Sequence, residues 1–174
     1  MQEHGTERTL FSQDQIAQRI EIVAREIAAR PIAPEVAVPV LIGAFVFAAD
    51  LMRALARLGL ELETEFVWLR SYGRSLNPGE LQILRAPGES VRGRAVLLID
   101  GVLDRGATLA AAKKLLDAAG AVTVVSAVAV VKAAADPLFK ADHTLFHAGE
   151  EFLYGYGMDW AGHGRGLPDI RVRS

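Results

Sequence analysis

Apolar residues recur at helical spacing at Ile16, Ile20, Val23 and Ile27, with Gln18, Arg19, Glu21 and Arg25 on the other faces. One apolar stripe on a polar cylinder predicts an amphipathic helix. Ser12 and Gln15 have the capping-box spacing at its start, and Pro31 and Pro34 end it. Polarity then vanishes. Val36–Ile42 (VAVPVLI) is apolar on both faces, as expected of a strand covered on two sides. Phe45–Leu58 reads as a second helix closed by Gly59, and Leu62–Ser71 as another strand. The pattern lapses in SYGRSLNPGE, a loop of low apolar content and of a kind that often carries function. Leu81–Leu84 is a short candidate strand.

The clearest unit follows. The apolar strand Ala95–Asp100 leads through a glycine-containing turn into a helix over Thr108–Ala119, closed by Gly120. A second apolar strand, Val122–Val131, comes next. Strand–helix–strand with buried strands is the crossover unit of a parallel sheet. No repeat, low-complexity tract or linker divides the 174 residues, so residues 1–174 are read as a single α/β domain with a mostly parallel central sheet flanked by helices.

Composition narrows the function. With 51% hydrophobic and 23% charged residues the chain is ordinary globular material. The net charge of -2 gives no bulk attraction to nucleic acid or to an anionic membrane. With no cysteine, disulfides, zinc–thiolate sites and thiol catalysis are excluded. The start, MQEHGTERTL, lacks the apolar stretch of a signal peptide, and Val36–Ala49 is too short and broken to span a bilayer. The expectation is a soluble cytoplasmic protein.

Candidate chemistry gathers where the central strand ends, in AVLLIDGVLDRGATLAAAKKLL. Ligands of open α/β sheets sit at the carboxyl ends of strands, often at a helix N-terminus. Asp100 and Asp104 flank the turn. Gly106 permits a tight backbone with converging N–H groups, and Thr108 adds a hydroxyl, so a phosphate could be cradled. The plainer alternative is a turn in which Asp104 and Thr108 only cap the helix. Gly101–Thr108 is a near miss to a nucleoside-triphosphate loop, but Ala107 stands where that loop needs lysine. The first strand–helix turn has no G-x-G-x-x-G, so a dinucleotide site is unsupported. His143 and His147 are four apart but enclose a strand-like run without the acid of H-E-x-x-H, which leaves a zinc site unsupported.

An apolar strand ending in acid-x-x-x-Asp-x-Gly-x-Thr resembles the diphosphoribosyl-binding signature of type I phosphoribosyltransferases. Other segments narrow the resemblance to their hypoxanthine-guanine branch. LIGAFVFAADLMRAL is similar to that family's pyrophosphate loop and following helix, and Arg70–Gly73 to the opening of its mobile active-site loop. Val130–Val131–Lys132 matches the strand that ends in a purine-reading lysine. FLYGYGMDWAGHGRGLPDI matches the F-x-x-G-Y-x-x-D…R-x-L-P tail. Four ordered matches span roughly residues 40 to 170, an order that chance rarely produces.

The resemblance implies transfer of a ribose 5-phosphate group from phosphoribosyl pyrophosphate to hypoxanthine or guanine, with Mg²⁺ on the pyrophosphate. It implies a small hood built from the terminal segments, small-molecule substrates, and a homodimer or homotetramer. Asp104, Arg105, Gly106, Ala107 and Thr108 would hold the 5-phosphate, and Asp104 would accept the purine proton. Asp100 would bind ribose hydroxyls, in part through the metal shell. Lys132 would donate to the exocyclic oxygen of a 6-oxopurine. Phe152 would stack on the base opposite Val102, a contact worth ~0.5–1.5 kcal/mol, with Leu153 adding backbone contacts. Asp159 would ligate Mg²⁺, and Arg165 and the Gly43 backbone would meet pyrophosphate. Ser71 and Tyr72 would open the mobile loop.

Three positions depart from the family pattern. Gly101 stands where a second acid is usual, so one ribose contact is absent or taken by water. Ile42 stands where many relatives carry a cation or polar residue, and Arg105 replaces a small hydroxyl residue. Two rival readings follow: a xanthine-preferring enzyme, and a weakened nucleotide-binding homologue of the same fold. Joint presence of Asp104, Lys132, Asp159 and Arg165 favours the enzyme.

Overall fold

The central strands alternate their side chains between two separate cores. In β6 (Ala95–Leu103), Leu97 and Ile99 join one buried cluster, and Val96 and Leu98 join the other. A strand buried on both faces needs helices on both sides, and the chain supplies them. α1 (Gln13–Ala28) and α2 (Phe45–Arg57) cover the first cluster, and α3 (Ala107–Ala118) covers the second. Truncating a fully buried side chain such as Leu97 would cost about 2–5 kcal/mol.

The computed structural model describes residues 7–71, 81–133 and 140–173. Its remaining strands are β1 (Glu7–Phe11), β2 (Val36–Leu41), β3 (Glu63–Thr64), β4 (Val67–Ser71), β5 (Leu81–Arg85), β7 (Thr123–Lys132), β8 (His143–Ala148), β9 (Phe152–Tyr154) and β10 (Ile170–Arg173). The larger sheet runs β5-β4-β2-β6-β7-β8, with β3 beside β2. All its pairings are parallel except β4 with β5. Both ends of the described chain meet in a small antiparallel sheet, β1-β10-β9. This is the expected hood. Phe11 stacks on Phe146 with ring centroids 4.0 Å apart, which ties the hood to the edge strand β8.

Local signals hold well. Ser12 and Gln15 form both hydrogen bonds of the capping box. Gly59, at φ +82, follows the second helix as its sequence pattern predicts. The expected strand Leu62–Ser71 is instead two pieces, broken at Glu65–Phe66. Pro39 explains the break. The Glu65 N–H donates to the Ala37 carbonyl at 3.0 Å, and the next rung requires an N–H from residue 39, which proline lacks. The central strand also runs three residues beyond its expected end, to Leu103. His143 and His147 both lie in β8, and His143 Nδ1 lies 3.2 Å from a Glu26 carboxylate oxygen.

Candidate active site

The carboxyl ends of the parallel strands open on a cavity of about 480 Å³. β2 and its following turn supply Val40, Leu41, Ile42 and Gly43. β6 and its turn supply Asp100, Val102, Asp104 and Thr108. Lys132 comes from the last residue of β7. Phe152, Leu153, Met158, Asp159 and Arg165 come from the hood side. An adjoining cavity of about 250 Å³ contains the whole Leu103–Leu109 turn and shares Asp100, Val102, Asp104 and Thr108 with the first. Residues as far apart in sequence as Val40 and Arg165 thus face one cleft.

The turn has backbone features suited to an anion. Gly106 adopts φ +81, a left-handed conformation that favours glycine, and is itself the N-cap of α3. Among the described residues no side chain caps that helix, so the alternative in which Asp104 and Thr108 serve as caps does not hold. The first N–H groups of α3 are left for a ligand, and an anion there also meets the positive end of the helix dipole. Asp104 and Arg105 are exposed at the cleft, with Arg105 in the smaller cavity.

Asp100 differs from Asp104. It is buried, and its carboxylate accepts the Gly101 N–H at 2.7 Å. Burial pushes its pKa up to about 7, against the opposing pull of that hydrogen bond. Gly101 also has a steric role beyond the missing acid. A Cβ there would lie 2.9 Å from the Gly43 carbonyl oxygen and 3.3 Å from its carbon, so this glycine lets the β2–α2 turn close onto β6.

On the hood side, Leu153 is buried while Phe152 is 51% exposed at the lip, a face open to a planar ligand. Asp159 accepts the Gly162 N–H at 2.8 Å and forms an ion pair with Arg165. Arg165 also donates to the Gly157 carbonyl at 2.8 Å. Asp100 and Asp159 offer hard oxygen donors in the same cleft, which fits Mg²⁺ bound mainly by substrate oxygens and water. Among the described residues no cluster of three metal-ligating side chains occurs. Ser71 closes β4, whereas Tyr72 lies outside the described residues. Sequence reasoning missed Met158 and Leu69 as lining residues. Apolar side chains in a tail and a strand carry no chemical signature, and only the parity of Leu69 along its strand hints at its side.

Comparison with known proteins points the same way. A family described as the phosphoribosyl transferase domain matches residues 9–154. The hypoxanthine-guanine phosphoribosyltransferase of Aquifex aeolicus is 32% identical over 167 residues, covering 94% of this chain and 92% of that protein. The enzyme of the same name from Bacillus subtilis is 31% identical over 179 residues, covering 99% and 96%. The hypoxanthine phosphoribosyltransferase of Trypanosoma cruzi, solved in complex with its product IMP, superposes with a TM-score of 0.86 at 29% identity. That match covers 100% of this chain and 97% of that one.

Proposed function

The chain belongs to the phosphoribosyl transferase domain family, and from that premise we propose that it makes IMP or GMP in purine salvage. The reaction moves the 5-phosphoribosyl group from phosphoribosyl pyrophosphate to hypoxanthine or guanine. The bond between the sugar carbon and pyrophosphate breaks as a purine nitrogen bonds to that carbon, and the nitrogen's proton leaves. One observation carries this reading. The residues marked by the family signature, from four separate segments, line one cleft at the strand ends.

In this reading the Asp104–Thr108 turn holds the 5-phosphate through its backbone N–H groups, and Arg105 adds a charge-assisted bond. Asp104, exposed beside that turn, takes the purine proton. Lys132 donates to the exocyclic oxygen, which selects 6-oxopurines over adenine, a base that presents a donor there. Val102 and Phe152 hold the ring between them, and Leu153 supplies backbone contacts. Asp100 binds the ribose hydroxyls. Arg165 and the Gly43 backbone receive pyrophosphate, so the leaving anion and the purine are held in line. Asp159 and Asp100 hold Mg²⁺, which neutralises pyrophosphate charge when bound. Arg165 pairs with Asp159 in this structure, so engaging pyrophosphate requires it to share or release that carboxylate. By family likeness, the assembly is a homodimer or homotetramer. Among the described residues no helix is long and apolar enough to cross a membrane.

The direct test is nucleotide formation by purified protein with phosphoribosyl pyrophosphate, Mg²⁺ and each of hypoxanthine, guanine, xanthine and adenine. Turnover of hypoxanthine or guanine well above adenine is expected. A preference for xanthine, or no turnover of any base, would overturn the assignment.

A further inference from the structure

We propose that Tyr156 is a positioning residue that sets the pyrophosphate end of the cleft, acting through Asp50 and the Gly43 carbonyl. The inference deepens the proposed function and rests on it. The sequence motif G-Y-x-x-D contains Tyr156 without giving it a task, and none of the roles assigned above uses it. Yet the residue is 3% exposed and occupies the left-handed region at φ +49, where a bulky side chain is rare. A conformation of that kind persists only where surrounding contacts impose it.

Those contacts are specific. The Tyr156 N–H donates to the Leu167 carbonyl at 2.9 Å, and its hydroxyl donates to Asp50 Oδ2 at 2.7 Å, midway along α2. Asp50 in turn pairs with Arg53. The next residue, Gly157, donates its N–H to the Arg165 carbonyl at 2.9 Å. A Cβ on Gly157 would lie 2.5 Å from the Gly43 carbonyl oxygen, the same oxygen that a Cβ on Gly101 would crowd. Gly101 of β6 and Gly157 of the tail therefore form a slot that seats one carbonyl of the pyrophosphate loop.

The geometry joins these contacts into one brace. α2 begins two residues after Gly43, so the Tyr156 hydroxyl pins the helix while Gly157 receives the loop that leads into it. The same short tail segment continues directly to Asp159. The spacing between the Gly43 backbone and the Asp159 carboxylate is thus set by Tyr156, which does not itself line the strand-end cleft. Burial, and the Asp50 carboxylate beside it, hold the hydroxyl's pKa well above the ordinary tyrosine value, so it stays a donor at any working pH.

Tyr156→Phe keeps the ring and removes only the donor. A rise of about tenfold in the KM for phosphoribosyl pyrophosphate is expected, the lower end of the scale of one lost hydrogen bond to a carboxylate. The hypoxanthine KM and kcat should stay unchanged. Asp50→Asn, which still accepts the hydroxyl, should retain the wild-type KM, whereas Asp50→Ala should match Tyr156→Phe. The double variant Tyr156→Phe with Asp50→Ala should be no worse than either alone. An unchanged KM in Tyr156→Phe, an equal rise for both substrates, or a lowered melting temperature with no change in KM would each overturn the brace. Calorimetric titration with magnesium pyrophosphate gives a readout free of turnover. If wild type converts no 6-oxopurine, the proposed activity falls, while weaker magnesium pyrophosphate binding by Tyr156→Phe would still support the brace and equal binding would overturn it.

Discussion

The β6–α3 turn and the Gly155–Arg165 segment face each other across the cleft, and they are held in opposite ways. The turn is made by its own neighbours in sequence: a buried strand before it, Gly106 in the left-handed conformation, and a helix after it. Asp104 and Arg105 project from it into solvent. The tail segment hangs on distant partners. Tyr156 reaches Asp50, Gly157 abuts Gly43, and Arg165 ties Gly157 to Asp159. A locally built wall can exchange exposed charges at little structural cost, and Arg105, which stands where the family pattern has a small hydroxyl residue, is such an exchange. A wall built from long-range contacts couples each binding group to stability.

Three experiments sharpen or break that contrast. The largest effect belongs to the turn. Asp104→Asn should lower kcat by about 10²–10⁴-fold, the usual range for a lost general base, with the melting temperature unchanged. A matching loss of stability would show that the turn is not independent of the rest.

Next is Asp100, buried within β6 three residues before the strand ends. Its native pKa of about 7 lies above its ordinary 3.8, so the folded protein keeps a proton that the unfolded chain has already released. Below about pH 4 both states are protonated and no penalty exists, and between about pH 4 and 7 stability falls as pH rises. The full penalty is at most about 4 kcal/mol. Asp100→Asn should flatten the decline measured by urea unfolding across that window. An equally steep decline in the variant would remove Asp100 as its cause.

The smallest effect belongs to the tail but touches two properties together. Arg165→Ala should raise the KM for phosphoribosyl pyrophosphate and lower unfolding stability by about 1–2 kcal/mol, because the charged donor to the Gly157 carbonyl is lost. A raised KM with an unaltered unfolding midpoint would break the contrast, since the tail would then behave like the turn.

The same division separates what was legible from what was not. The capping box at Ser12, the βαβ unit around α3 and the acid-x-x-x-Asp-x-Gly-x-Thr turn are patterns of residues a few positions apart, and each appears where its spacing places it. The pattern of Leu62–Ser71 shows no interruption, because the break is encoded in Pro39 of a neighbouring strand. β1 was not expected from the polar Glu7–Phe11, since its pairing partner is β10, with Arg8 opposite Val172. Gly101 looked like a lost acid, and only the approach of the Gly43 carbonyl reveals its steric part.

The α/β class, the backbone of the β6–α3 turn and the family signature follow from short-range pattern, because periodicity, capping and turn chemistry act between near neighbours in the chain. The tertiary structure alone decided which wall braces which: the burial of Asp100, the glycine slot around Gly43 and the bond from Tyr156 to Asp50. Those depend on the packing of segments far apart in the chain, where a fraction of an ångström separates contact from clash.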